Sequence, residues 1–578
     1  MDTAVSVYPV YLGIWINWSY GKVFGSTLTV TRSNGALLIA FLAFFVTLVG
    51  SQLWKIICFL LFKLFSHPTP KDALHNQRQA ILRNSSTPIG GAWSLLQMLH
   101  AWTTAKTSTS WVQPLRRLLP LLVGTVVIAV ALAAASGFSS QLVVGNEVLI
   151  DGAKCGLLKT NSFDDQTLTT LYFPNLRRQL KRAAEYAQRC YESPTATDGC
   201  DTLIQPSLSM NITADAACPF DDSLCISQDA NIMVESGPID SHKHLGINWP
   251  PEERFQLYHR MHCAPLVTDG HRSTYESNNG TYTRYQYGDS SLPGSDCNCT
   301  IAVNMDMLDI NMKSTTSLFL EPHQDMLISA VSARLTKESD KPVASNFNPI
   351  PDLTGHNGDV TVVFLLPDVI YFTEQPSEDI WYRATEPIQV PAPATNNQSE
   401  PFVNMTYYMP SEPAWPMGCT QQSQVCKRDI CTGWASETDV QAATEDLGIA
   451  FRALDTPYFR NLLTTPSNIF TALGIEALAS RYRNSASGSV FQDRQLEEYV
   501  TRPDKYDQAH ICNSQKILST AYTSFSVFGL VATLLGGVII VLVSAAIESI
   551  DAFLQKRFTS RKWEYSRSEW RAAHALHL

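Results

Sequence analysis

The sequence predicts an α+β chain in which a three-helix membrane anchor carries a large, β-rich, disulfide-bonded ectodomain. Three observations carry that expectation. Only 17% of the 578 residues are charged, against roughly 25% in an average soluble protein. Three long stretches are almost free of ionisable side chains, and twelve of the 13 cysteines fall between the second and the third. An apolar fraction of 45% excludes a disordered chain, and 29 Gly with 31 Pro exclude a collagenous or low-complexity one. A net charge of -10 argues against a nucleic-acid partner, which would need a basic face for phosphates.

In chain order, residues 1–35 read as an extracytoplasmic N-terminal tail, with no basic n-region and no small-residue cleavage site of a signal peptide. Trp15, Trp18 and Tyr20 suit the lipid interface, and STLTVT (26–31) alternates like a strand. Residues 36–65 form the first expected membrane helix: Ala36 to Trp54 contains no ionisable group, and about 20 apolar residues suffice to cross a bilayer. A cytosolic loop follows over 66–117, in which LHNQRQAILRN (74–84) reads as a short basic amphipathic helix for an anionic leaflet. The second membrane helix is expected over 118–138, the ectodomain over 139–516, the third helix over 517–547, and a cytosolic tail over 548–578.

Orientation follows from Lys and Arg in the flanks. The 66–117 loop holds Lys71, Arg78, Arg83, Lys106, Arg116 and Arg117 against the single acid Asp72, and basic residues also outnumber acids after the third span. Both segments are therefore expected in the cytosol. Residues 118–547 carry about -20 and the rest of the chain about +10, so the acidic material is expected on one side of the membrane.

Cys155, Cys190, Cys200, Cys218, Cys225, Cys263, Cys297, Cys299, Cys419, Cys426, Cys431 and Cys512 all lie on the side expected to be oxidising, and an even count there reads as a disulfide framework. Cys190 with Cys200 and Cys218 with Cys225 are candidate local closures; spacing leaves the other pairings open. Glycosylation sequons begin at Asn17 in the tail and at Asn211, Asn279, Asn298, Asn397 and Asn404 in the ectodomain, while that at Asn84 faces the cytosol. Residues 173–191 and 436–455 read as helices, the second with a Ser436/Asp439 capping pair. Residues 142–150, 281–287, 359–367 and 402–410 read as strands, and the proline-rich 390–401 as an exposed loop.

The densest titratable cluster is DSHKHLGINWPPEERFQLYHRMHCAPL (240–266). His242, His244, His259 and His262 are ligand types that suit zinc or copper, and a helix would place His259 and His262 on one face. Cys263 is expected to be committed to a disulfide instead. The string His259-Arg-Met-His262-Cys263 resembles the HxxHC element of fungal ustiloxin-type membrane oxidases, which implies oxidation or cyclisation of secondary metabolites with the two His as metal ligands. A second copy of the motif, which that family carries, does not occur in this sequence. Gly288-Asp289-Ser290 with Asp507 to His510 resembles the blocks of GDSL-type esterases, but its serine stands in a polar loop rather than at a strand-to-helix turn. No ionisable residue lies mid-membrane, which disfavours transport. Ala129, Ala133 and Gly137, and Ala532 with Gly536, form small-residue ladders that suit helix packing within the chain or between copies.

Across nearly its whole length the chain resembles a large family of fungal three-pass transmembrane proteins with a cysteine-rich glycosylated ectodomain. The shared strings are NWSYGKVFGSTLTVTRSNGALLIAFLAFFV, HNQRQAILRNSS, IDSHKHLGIN and CAPL (263–266). The resemblance implies a topology and a compartment, and an association with secondary-metabolite genes, but no catalytic residues. The functional expectation is a non-catalytic surface or secretory-pathway glycoprotein whose ectodomain binds a ligand or protein partner. The alternative is a membrane-bound enzyme or accessory protein of secondary metabolism that uses the His242–Cys263 cluster.

Overall fold

The structure is a computed structural model. It describes residues 9–573 except 68, 70, 105–111, 138–141, 156, 159–163, 168–169, 172–173, 175–199, 201–203, 206–207, 209, 279, 291–297, 305–325, 337–338, 344–346, 355–356, 368–371, 373–378, 394–401, 437–438, 440–498, 503–509, 511 and 558–560. The chain forms two compact units, one of residues 1–6, 11–148 and 519–578, the other of 7–10 and 149–518.

In the first unit, Arg32–Phe65, Val112–Gly137 and Val527–Arg557 are helices with stretches long and apolar enough to cross a membrane. The first helix is the centre of the packing. Gly50 lies against Leu132 of the second helix, and Gly537 of the third receives the ring of Phe45 so closely that a Cβ would stand 2.4 Å from it. Gly536, the ladder residue singled out from spacing, has nothing within 4 Å of its Cβ direction. The contact glycine is thus one position on, because the helical turn of about 100° per residue carries Gly536 off the packed face.

Each spanning helix is joined at one end to a strand, and these strands pair. Ser26–Thr31 runs into the first helix, Tyr522–Ser526 into the third, and Val143–Gly145 follows the second. With Gly13–Ile16 they form a four-stranded antiparallel sheet in the order 13–16, 26–31, 522–526, 143–145. Leu28 and Phe525 turn their side chains to Leu42 and Leu530 of the helices. On the same sheet Trp15 Nε1 donates to Thr29 Oγ1 at 2.8 Å, and the Thr29 and Ser524 hydroxyls meet at 2.9 Å. The third spanning helix therefore starts at Val527 rather than 517: alternating Tyr522, Ser524 and Ser526 against Thr523 and Phe525 suits a two-faced strand.

At the other end of the helices, Ala73–Asn84 and Pro88–Thr104 fold back on the first helix, joined by the C-terminal helix Arg561–Ala572. Trp570 is the anchor: its ring meets Phe59 and Phe62 edge-on at 4.9 and 4.8 Å, Arg83 stacks on it at 4.1 Å, and its Nε1 donates to Glu548. Lys63 and Asp551, both shielded from solvent, form an ion pair between the first and third helices. Pro88–Thr104 was not anticipated as a helix; its outward face exposes Ile89, Trp93 and Leu96.

The second unit is built on a nine-stranded antiparallel sheet, with the path 339–343, 326–336, 359–367, 415–427, 256–265, 231–236, 210–216 and two short strands off it, 430–431 beside 415–427 and 239–240 beside 256–265. Strand alternation sorts the interior strand Asp359–Pro367: Val360, Val362 and Phe364 enter a core with Tyr285, Tyr287 and Phe347. Gly418 opposes Val362, and the absence of a side chain there lets the Phe220 ring lie against the sheet. The expected strands at 359–367 and 402–410 are found with those bounds, while that at 281–287 runs Gly280–Tyr285. Residues 390–393, expected in a loop, extend the strand Ala384–Pro393, whose two-stranded ribbon tolerates Pro391 and Pro393. The helices expected over 173–191 and 436–455 lie almost entirely outside the described residues; Ser436 Oγ does accept from Asp439 N at 3.3 Å.

Candidate functional site

Residues 240–266 divide into a loop and a strand. Asp240 organises the loop: its carboxylate accepts from the backbone N–H groups of His242 and Lys243, and its own N–H donates to His244 Nδ1 at 3.0 Å. His242 Nδ1 lies 3.1 Å from the Ile247 carbonyl. Burial, with Lys516 and Arg254 nearby, brings the His242 imidazole down to about 4. The loop is held to the C-terminal end of this unit by Trp249 Nε1 donating to Ser514 Oγ and by Gln515 Nε2 donating to the Leu245 carbonyl. His242 and His244 are thus components of a folded turn.

His259 and His262 lie on the strand Gln256–Pro265, not on a helix. Three positions along a strand put two side chains on opposite faces, so the helical premise for joint ligation fails. His259 Nδ1 lies 3.2 Å from Ser423 Oγ across the strand pair, and burial lowers its imidazole to about 4. Cys263 is bonded to Cys419, its direct cross-strand neighbour. Among the described residues no group of three or more His, Cys, Asp or Glu side chains converges so as to hold a metal, zinc or copper included.

The esterase-like blocks do not meet in the way their order suggested. Ser290 pairs with Phe347 in a strand, whereas His510 Nδ1 lies 3.2 Å from Ser514 Oγ and its Nε2 is 3.9 Å from Glu253. Sequence reasoning missed this Ser514–His510–Glu253 group, because Glu253 is remote in the chain. The buried Ser514 hydroxyl donates to the His510 carbonyl and accepts from Trp249, so its proton is directed at the backbone rather than at the His510 ring.

The other described cysteines of this unit are bonded as Cys155–Cys512, Cys218–Cys225 and Cys426–Cys431, and Cys200 and Cys299 are also disulfide-bonded. Cys190 and Cys297 lie outside the described residues. Of the sequons, Asn211, Asn298 and Asn404 are exposed, and Asn279 and Asn397 lie outside the described residues. Asn17 departs from the expectation. It is 1% exposed, and its Nδ2 donates to Glu147 at 2.7 Å, which leaves no space for a glycan on that nitrogen in the folded chain.

Comparison of the chain with models of known protein families, with curated proteins and with solved structures gave no match.

Proposed function

We propose that the chain is a non-catalytic integral membrane glycoprotein of the cell surface or secretory pathway, whose disulfide-bonded domain lies outside the cytosol and binds a ligand or protein partner. The observation that carries this reading is the Cys155–Cys512 and Cys263–Cys419 pairs, which join residues 357 and 156 positions apart. Structural disulfides form and persist in oxidising compartments and are rare in the cytosol. The basic 66–117 loop and C-terminal tail agree with a cytosolic position at the other end of the spanning helices. Membership of the fungal three-pass family rests on the strings quoted above.

A partner-binding surface is supported by the sheet itself. Ile212 and Ile232, 65% and 49% exposed, lie on neighbouring strands at the 210–216 edge and share one face. Ile212 pairs with Val234, two residues from Ile232, so the two isoleucines sit diagonally on that face, and exposed apolar side chains so grouped suit burial by a partner.

Protease treatment of intact cells, followed by opened vesicles, tests the topology: cleavage within 149–518 is expected, and protection in both preparations would overturn it. Metal analysis of the purified full chain, with His259→Ala and His262→Ala controls, separates this reading from the secondary-metabolism enzyme. Stoichiometric zinc or copper lost in those variants would favour the enzyme.

A further inference from the structure

The structure contains a groove of about 390 Å³ between the first and second spanning helices, entirely within the helical unit. Its apolar walls are Trp54, Ile57, Leu61 and Phe65 on one helix and Leu121 and Ile128 on the other. Residues 54 to 65 cover about 16 Å of helix at 1.5 Å per residue. That is about half of a hydrocarbon core roughly 30 Å thick, the depth of one leaflet. The space exists because Pro120 and Gly124, one helical turn apart, present small surfaces to it, and nothing lies within 4 Å of the Cβ direction of Gly124. Thr125, the one hydroxyl in the wall, donates to the carbonyls of Leu121 and Leu122, so the groove stays apolar.

One end of this groove is formed by Arg78 and Arg117. Arg78 lies 4.4 Å above the Phe65 ring, and one terminal nitrogen approaches His75 Nδ1 at 3.1 Å. Its Nε is enclosed and has no hydrogen-bond partner. Burial, with the neighbouring Arg117 guanidinium adding to it, holds Arg78 below the usual guanidinium range. The acids nearby have other work. Asp72 pairs with Arg117 and caps the 73–84 helix through His75 N, and Glu569 accepts from Ser66 and faces His75 Nε2 at 3.8 Å. A half-buried guanidinium beside a second one at the head of an apolar channel matches an amphiphile with an anionic head.

We propose that this groove holds one anionic glycerophospholipid of the surrounding leaflet, its phosphate between Arg78 and Arg117 and an acyl chain along Trp54, Ile57 and Leu61. The inference rests on the membrane reading above. It is strengthened by the expected cytosolic position of the 66–117 loop, since the cytosolic leaflet carries the anionic lipids. The bound lipid would tie the 73–84 helix to the two spanning helices.

The test uses the full-length protein in nanodiscs of unlabelled phosphatidylcholine doped with an equal fraction of either brominated phosphatidylcholine or brominated phosphatidylserine. Quenching of the Trp54 contribution, identified by difference from Trp54→Phe, is expected to favour the anionic lipid by about thirtyfold in effective affinity, from about 1 kcal/mol for each of the two basic residues. The preference should vanish in Arg78→Gln/Arg117→Gln. It should also vanish in Gly124→Phe, which fills the groove where no atom stands in the way and leaves both charges intact. Equal quenching by the two lipids, or a preference that survives both variants, would overturn the proposal. Absence of tryptophan quenching by either lipid would overturn the membrane reading as well, so the two failures are distinguishable.

Discussion

Cys263 and Cys419 face each other on adjacent antiparallel strands with their Cα atoms 4.0 Å apart, and the bond between them joins the two central strands of the large sheet. The pair sits beside Met261 and Met417 and is almost fully buried. Removing it frees a long loop in the unfolded chain. Cys263→Ala/Cys419→Ala should lower stability by about 2–5 kcal/mol, read by thermal unfolding or protease sensitivity of the purified protein. A midpoint equal to that of the wild type would contradict the cross-link.

Gly537 and Gly536 separate packing from background composition. Gly537→Val drives a side chain into Phe45 and Val49, and overpacking of this kind costs about 1–3 kcal/mol. Gly536→Val meets open space and should be near neutral in the monomer. Thermal stability of the two variants in detergent checks the difference; a reversed order would refute the helix register.

His242 makes folding pH-dependent. Its imidazole is lowered from the model-peptide value near 6.5 to about 4 in the fold, so between those values the unfolded chain binds more protons than the folded one. Stability is fully present above about pH 6.5 and falls as pH drops towards 4, by roughly 2–3 kcal/mol at this 5%-exposed residue. Asp240, Arg254 and Lys516 face the same ring, the acid opposing the shift and the two cations adding to it. His242→Asn, which keeps a donor for the Ile247 carbonyl, should flatten the slope of unfolding free energy between pH 6.5 and 4. An unchanged slope would assign the effect elsewhere.

Asn17 should carry no glycan, whereas Asn211, Asn298 and Asn404 are open to modification. Single Asn→Gln variants analysed on gels before and after deglycosylation read this directly. A mobility loss in Asn17→Gln would mean that the Asn17–Glu147 hydrogen bond does not form in the mature protein.

The spanning helices were legible because a bilayer crossing requires an apolar run that no other constraint disguises. Asp359–Pro367 was legible for a related reason: the whole run is β-branched or apolar between a turn and a proline. The His cluster was misleading. His259-x-x-His262 has the spacing of a helix face, yet ten residues from Gln256 to Pro265 are strand, because pairing with Trp415–Lys427 on one side and Asn231–Ser236 on the other satisfies their backbone groups. Periodicity over so short a polar run cannot arbitrate between the two, since tertiary pairing outweighs it.

By itself the sequence determined that three runs are long and apolar enough to cross a bilayer, which segments concentrate positive charge, and that twelve of the 13 cysteines gather between the second and third runs. These are sums over many residues, and composition survives any arrangement of the fold. Tertiary structure alone decided that Gly537 rather than Gly536 carries the helix contact, that Asn17 is buried against Glu147, and that Arg78 and Arg117 close one end of an apolar groove. Each depends on the direction of a single side chain relative to segments distant in sequence, and such directions are set only when the packed elements exclude every other arrangement.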